Sequence, residues 1–289
     1  MTIVVTTIVL ASIYSLVAIG ISLTWAGLGF LNLAHGVIFA VAGYGAWLTA
    51  EHLSEGPVAV ILAGMLVGAL AGVFVCVVVF LPLDGRPNAE IRTLMGTLAL
   101  SFLGVNLLQE IFGPQPKALP SIFEWGNFEI GNAVVTADRS GAVVTAVAVL
   151  SLVVFALLRS RVGLGVRVLT QDPEGAALVG VNRRTTALAI LAVSGALAGL
   201  ASVLLAQVFY VSPEAGYTPL VKGLIVAMLG GLGSVPGTIA AAVLVAACEA
   251  LTSTYLGGQY VLITLFVLIA VVLLIRPRGL GGLLETARA

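Results

Sequence analysis

Charge is what this chain has least of. Its 289 residues hold 13 Lys and Arg and 13 Asp and Glu, together 9% of the total, with only two histidines; a soluble domain carries roughly 25% charged residues. A net charge of zero leaves no basic footprint for a nucleic acid. The two cysteines, Cys76 and Cys248, each sit inside an apolar run. They supply neither a disulfide framework nor a metal-ligand spacing, and such thiols behave as small hydrophobes. No GxxxxGK[ST] phosphate loop occurs, so that machinery for ATP is missing. No nucleophile, metal or paired-carboxylate constellation stands out either, and the expectation is a chain with no catalytic, cofactor or metal residues of its own.

Apolar residues fill the space that charge leaves. They make up 60% of the chain, and the mean hydropathy is +1.16. Runs almost free of charge extend over approximately 3–25, 33–50, 58–81, 94–108, 141–158, 186–211, 220–232, 238–251 and 260–275. A membrane-crossing helix needs about 20 such residues. The pattern therefore predicts an all-α polytopic membrane protein, a single domain over 1–289 with eight or nine transmembrane helices. The first run lacks the basic flank and polar cleavage region of a signal peptide and is expected to stay as an uncleaved helix. The run at 220–232 is short, begins beside Pro219 and Lys222 and ends in LGGLGSVPG. It reads as a broken helix or a tight turn, because irregular backbone at membrane depth survives only where protein or water covers it.

The arginines set the orientation. Arg159, Arg161, Arg167, Arg183 and Arg184 share the connection 159–184, and Arg276, Arg278 and Arg288 follow the last run. By the positive-inside rule both regions are cytoplasmic, which leaves 113–139 as an extracytoplasmic loop. Nine spans would put the N-terminus outside and eight would put it inside.

Small residues recur throughout the runs, as in GALAGLASVLLA, and close helix approach in lipid accounts for most of them. Two stretches ask for more. AGLGFLNLAHGVIFAVAGYGAWL and GGLGSVPGTIAAAVLVAACEAL both set a GLG turn ahead of a helix rich in small residues, the sign of an internal repeat whose broken helices approach a transport path. In the first, Gly27, Gly29 and Gly36 let a helix start abruptly. Asn32 and His35, three apart, would share a helix face and bond backbone freed at the break, near the cytoplasmic side of the path. Gly231, Gly233 and Ser234 hold the matching place in the second. Path or hinge is one reading of these residues, and plain packing is the other.

Within 159–184 lies DPEGAALVG, ordered as a short autonomous helix. Asp172 is its N-cap, Pro173 its first residue, Glu174 lies near its positive end and Gly180 is its left-handed stop. Gly175, Ala176, Ala177 and Leu178 form its body. Two turns are marginal alone in water. The segment either docks in a groove of another protein or lies on the membrane interface, where larger apolar residues are usual.

The stretches Gly27 to Leu48, Ser160 to Asn182 and Leu220 to Val243, with the ending IRPRGLGG, resemble the permease subunits of the branched-chain amino acid ABC transporters, in family order and over nearly the whole chain. The length resembles the shorter of two paired permeases. The resemblance implies a bacterial inner-membrane importer for a small polar solute, most of all branched-chain amino acids. Relatives carry urea, short amides or other small organic solutes. It implies as partners a second permease, two cytoplasmic ATPases holding ATP and Mg, and an extracytoplasmic binding protein, with Asp172 to Gly180 as the segment that couples to an ATPase. Lys222 and Glu249 match the family pattern, and one hypothesis is that they form an intramembrane ion pair, since an unpaired charge in hydrocarbon costs about 2.5–3.5 kcal/mol. The alternatives are that each snorkels alone or, at the level of function, that the chain is an ion-coupled secondary transporter. That reading has only His35 and Glu249 to offer as ion sites.

Overall fold

The computed structural model describes residues 2–54, 56–123, 125–126, 128–130, 133–171, 175–176 and 180–281. In chain order the helices are α1 (Thr2–Leu28), α2 (His35–His52), α3 (Pro57–Leu83), α4 (Ala89–Phe112), α5 (Ala137–Arg159), α6 (Arg161–Gln171), α7 (Arg183–Ala206), α8 (Tyr217–Gly230), α9 (Val235–Tyr255) and α10 (Val261–Ile275). A 3-10 turn, Gly258–Tyr260, leads into α10. Each of the nine apolar runs is helical. Seven helices, α1, α3, α4, α5, α7, α9 and α10 with its leading turn, are long and apolar enough to cross a membrane. The other two are α2, which carries His35, Glu51 and His52 in its 18 residues, and α8, with only 14.

The bundle is organised on α1 and α7. Ile13, Leu16 and Ile19 of α1 and Leu197, Leu200 and Leu204 of α7 are fully buried. Helix α3 lies on α7 through backbone rather than side chains. Gly64, Gly68 and Gly72 recur every fourth residue, so they form one stripe. A methyl group added at Gly68 would strike the Gly195 carbonyl, and one at Gly72 the Leu191 carbonyl. Small residues at this spacing let helices in lipid approach closely enough for dispersion to hold them. Near the end of α3, Pro82 offers no amide hydrogen and crowds the carbonyl four residues back. The helix absorbs the misfit as a π-helical turn, Cys76–Phe80.

Both described arginine groups gather at one end of the bundle. Arg183 pairs with Asp84 at 3.1 Å where α3 meets α7. Gly27 of α1 rests on Ile190 of α7, Gly233 lies against Ala26, and Gly281, just past Arg276 and Arg278, lies against Gly237. The connection 113–139 lies at the opposite end. Gln207 holds it there, accepting from the Ile122 amide at 3.1 Å and donating to the Pro120 carbonyl at 3.2 Å. This connection adds a short antiparallel ribbon to the α-helical bundle, with Phe128–Ile130 paired to Ala133–Val135.

Candidate functional site

Two helix breaks lie beside the C-terminal part of α1. Helix α1 stops at Leu28, Gly29 takes φ +77°, and α2 starts only at His35. Asn32 therefore precedes the helix instead of sharing a helical face with His35. Its Oδ1 accepts from the Ala34 amide at 3.1 Å, an Asx turn that satisfies one donor at the start of α2, while the Leu33 amide donates to Thr97 Oγ1 at 3.2 Å. His35 is 1% exposed and Asn32 4%. The ring packs against Gly20, where a Cβ would lie 3.0 Å from Cε1, and Nδ1 is 3.5 Å from Ser194 Oγ. That hydroxyl donates to the Gly20 carbonyl at 2.8 Å and accepts from Thr24 Oγ1 at 3.2 Å. Ser194 is midway along the 24-residue α7, so α2 begins at the middle of the bundle, deeper than the sequence reading placed it. Asn32 Nδ2 and His35 Nε2 have no partner among the described residues.

The second break separates α8 from α9. Gly231 and Gly233 take φ +87° and +93°, and Ser234 caps α9 by accepting from the Gly237 amide at 3.2 Å. The Gly233 amide donates to Ser22 Oγ of α1 at 2.7 Å. The chain after α10 returns to close this break, with the Leu280 and Gly281 amides donating to the Leu229 and Gly230 carbonyls at 2.8 and 2.9 Å. Those acceptors are the orphan carbonyls that any helix leaves at its C-terminus. At the far end of α8, Gly216 and Gly36 touch backbone to backbone, so the starts of α2 and α8 meet inside the bundle.

Lys222 and Glu249 come together. Nζ is 2.6 Å from Glu249 Oε1, and Lys222 as a whole is 8% exposed. Tyr14 completes a ring that the sequence reading missed: its hydroxyl donates to Glu249 Oε2 at 2.8 Å and accepts from Lys222 Nζ at 2.9 Å. The three side chains join α1, α8 and α9 and line a cavity of about 730 Å³. A tyrosine inside an apolar helix, where its hydroxyl needs a partner, is the signal that could have found it.

Of the segment from Asp172 to Gly180, Asp172, Pro173, Glu174, Ala177, Leu178 and Val179 lie outside the described residues. Gly175 and Ala176 are helical. Ala176 is fully buried in a small core with Leu28, Phe30, Phe80, Leu169 and Ile190. The Val181 amide donates to the Ala176 carbonyl at 2.9 Å and Gly180 has φ +80°, the closing bond and left-handed residue of a Schellman-type helix end. Asn182 Oδ1 then caps α7, accepting from the Arg184 and Thr185 amides at 2.9 and 3.4 Å.

The family model described as "Branched-chain amino acid transport system / permease component" matches residues 3–275. The high-affinity branched-chain amino acid transport system permease protein LivH of Escherichia coli K12 is 30% identical over 290 residues, 95% of this chain and 93% of that protein. BraD of Pseudomonas aeruginosa, of the same description, is 28% identical over 94% of this chain and 92% of its own. The fructose import permease protein FrcC of Rhizobium meliloti is 33% identical over 155 residues, 50% of this chain and 42% of FrcC. The solved structure of PsaBC from Streptococcus pneumoniae in complex with Fab is similar with a TM-score of 0.54 at 12% identity, over 98% of this chain and 94% of that one, a likeness of fold. With helices that can cross a membrane and a family match that runs from α1 to the end of α10, the chain belongs to the permease component family of branched-chain amino acid transport systems.

Proposed function

We propose that the chain is the permease subunit of an ATP-driven importer in the bacterial inner membrane and forms half of a path for branched-chain amino acids. The observation that carries this reading is the alignment with LivH over 95% of this chain and 93% of that protein. A second permease supplies the other half of the path. Two cytoplasmic ATPases bind ATP and Mg, and an extracytoplasmic binding protein delivers the solute. The arginine-rich end of the bundle is cytoplasmic by the positive-inside rule. The N-terminus and the connection 113–139 are then outside.

Coupling runs through the segment that contains Ala176. In this reading an ATPase holds the segment at the cytoplasmic face. Its buried alanine shares a core with Leu28, the last residue before the first break, with Phe30 inside that break, and with Ile190 of α7. A push on the segment therefore reaches the first break and the central helix through packed side chains, which shift together because packed interiors yield little.

Genetic complementation tests the reading. In a leucine auxotroph stripped of its own branched-chain importers, this chain with its cognate second permease, ATPases and binding protein should restore growth on micromolar leucine. Omission of the ATPases should abolish it. Growth that persists without them, or no growth with all partners present and assembled, would contradict the proposal.

A further inference from the structure

A helix face turned to lipid is apolar, because a polar group there loses water and gains nothing. Helices α3 and α10 obey this, and the interior of α5 departs from it only at the small hydroxyl of Ser151. Exposed positions are Leu62, Leu66, Leu70 and Phe74 on α3, Val144, Val147, Leu152 and Phe155 on α5, and Ile263, Phe266 and Val267 on α10. Helix α4 does not. Only Thr93, Thr97 and Leu108 of its 24 residues are buried, yet its open side includes Asn106 as well as Phe102 and Leu103. The Asn106 amide nitrogen turns back to the Phe102 carbonyl at 2.7 Å, and its oxygen accepts nothing among the described residues.

The polarity is concentrated. Ser101, Asn106 and Gln109 of α4 line a groove of about 490 Å³ together with Glu214 and with Tyr217 and Thr218 at the start of α8. Gln109 Nε2 donates to Glu214 Oε1 at 3.2 Å. Val37, Val105 and Leu220 supply apolar lining, and Gly36 and Gly216, the touching starts of α2 and α8, also line the groove. Its size falls within the roughly 300–1,000 Å³ typical of small-molecule clefts. Ser101 is midway along α4 and Gly36 follows the mid-bundle His35, so the groove lies at membrane depth and not on a wetted loop. The larger cavity beside Lys222 is less suited to a passing solute, because Tyr14, Lys222 and Glu249 on its wall bond to one another. At the centre of the bundle, Ile13, Leu16, Leu197 and Leu200 fill the space.

We propose that the groove along α4 is this chain's wall of the solute path, and that the second permease seats on α4 and closes it. This placement rests on the reading of the chain as one of a pair of permeases. The groove is open along its side, so a path at this depth needs a second wall. A second polytopic permease provides it and leaves a wetted gap in which Asn106, Thr218 and Glu214 meet water and solute. The mixture of amide, hydroxyl and carboxylate with valine and leucine suits a solute that joins an ammonium and carboxylate to an apolar side chain.

The test uses the assembled transporter in proteoliposomes, with both permeases and both ATPases and with Cys76 and Cys248 replaced by alanine. Single cysteines go into the groove, Asn106→Cys and Thr218→Cys, and onto lipid-facing surfaces, Val147→Cys and Ile263→Cys. Thiolate forms in water and not in hydrocarbon, so a hydrophilic maleimide should label the groove positions at least about tenfold faster than the lipid-facing ones. In parallel, benzoylphenylalanine replaces Phe102 or, as a control, Phe155. Irradiation should join position 102, and not 155, to the second permease. Equal labelling rates in the two sets would overturn the path, and a photo-crosslinker at 102 that captured only lipid would overturn the pairing face. Both readouts are independent of the solute. A transporter found to carry some other compound would overturn the functional reading and leave this placement standing.

Discussion

A lysine and a glutamate in a chain with so few charges are costly unless they meet, and they do meet, 2.6 Å apart. Their pairing was legible because hydrocarbon penalises a lone charge whatever the fold. Tyr14, the third member of the ring, carried the sign of a tyrosine inside an apolar helix, but its partners were not legible, since α1 and α9 come together only in three dimensions. The same holds for His35, whose neighbours Gly20 and Ser194 come from two other helices. Removing one partner of a buried pair strands the other and costs about 3–5 kcal/mol. Lys222→Glu and Glu249→Lys should therefore each abolish transport and lower the amount of folded permease, and the double reversal should recover both. A double reversal as impaired as either single one would show that the two charges act independently.

At the scale of elements, the nine apolar runs were legible from hydropathy alone, and each is a helix. Their depths were not. The starts of α2 and α8 are fixed by the contact of Gly36 with Gly216 and by the seat of His35 on Gly20, which no local pattern reveals. The ribbon Phe128–Ile130 with Ala133–Val135 had a local sign, since the sequence pair Gly131 and Asn132 between the two strands favours a tight turn. That sign is short, and strands of three residues add no periodicity to it. The glycine stripe of α3 makes its own prediction. In Gly68→Ala a methyl meets the Gly195 carbonyl, and neither backbone can yield without shifting a whole helix. This variant should lose about 1–3 kcal/mol, as overpacked sites do, and its thermal unfolding midpoint in detergent should fall. Gly258→Ala has open space and should unfold with the unmodified protein. Equal midpoints for the two variants would mean that α3 and α7 are less closely packed than this seam implies.

The whole molecule is a bundle whose two broken segments, 29–34 and 231–234, are both tied to α1. The central claim is that ATP hydrolysis by partner subunits drives branched-chain amino acids through the complex that contains this chain. Accumulation of radiolabelled leucine in proteoliposomes holding both permeases and both ATPases, with leucine-loaded binding protein outside and ATP and Mg²⁺ inside, measures it most directly. The account predicts leucine accumulation above the outside concentration, dependent on ATP and lost when residues 172–180 are deleted from an otherwise assembled complex. Accumulation that continued without ATP, or that was indifferent to the deletion, would contradict it.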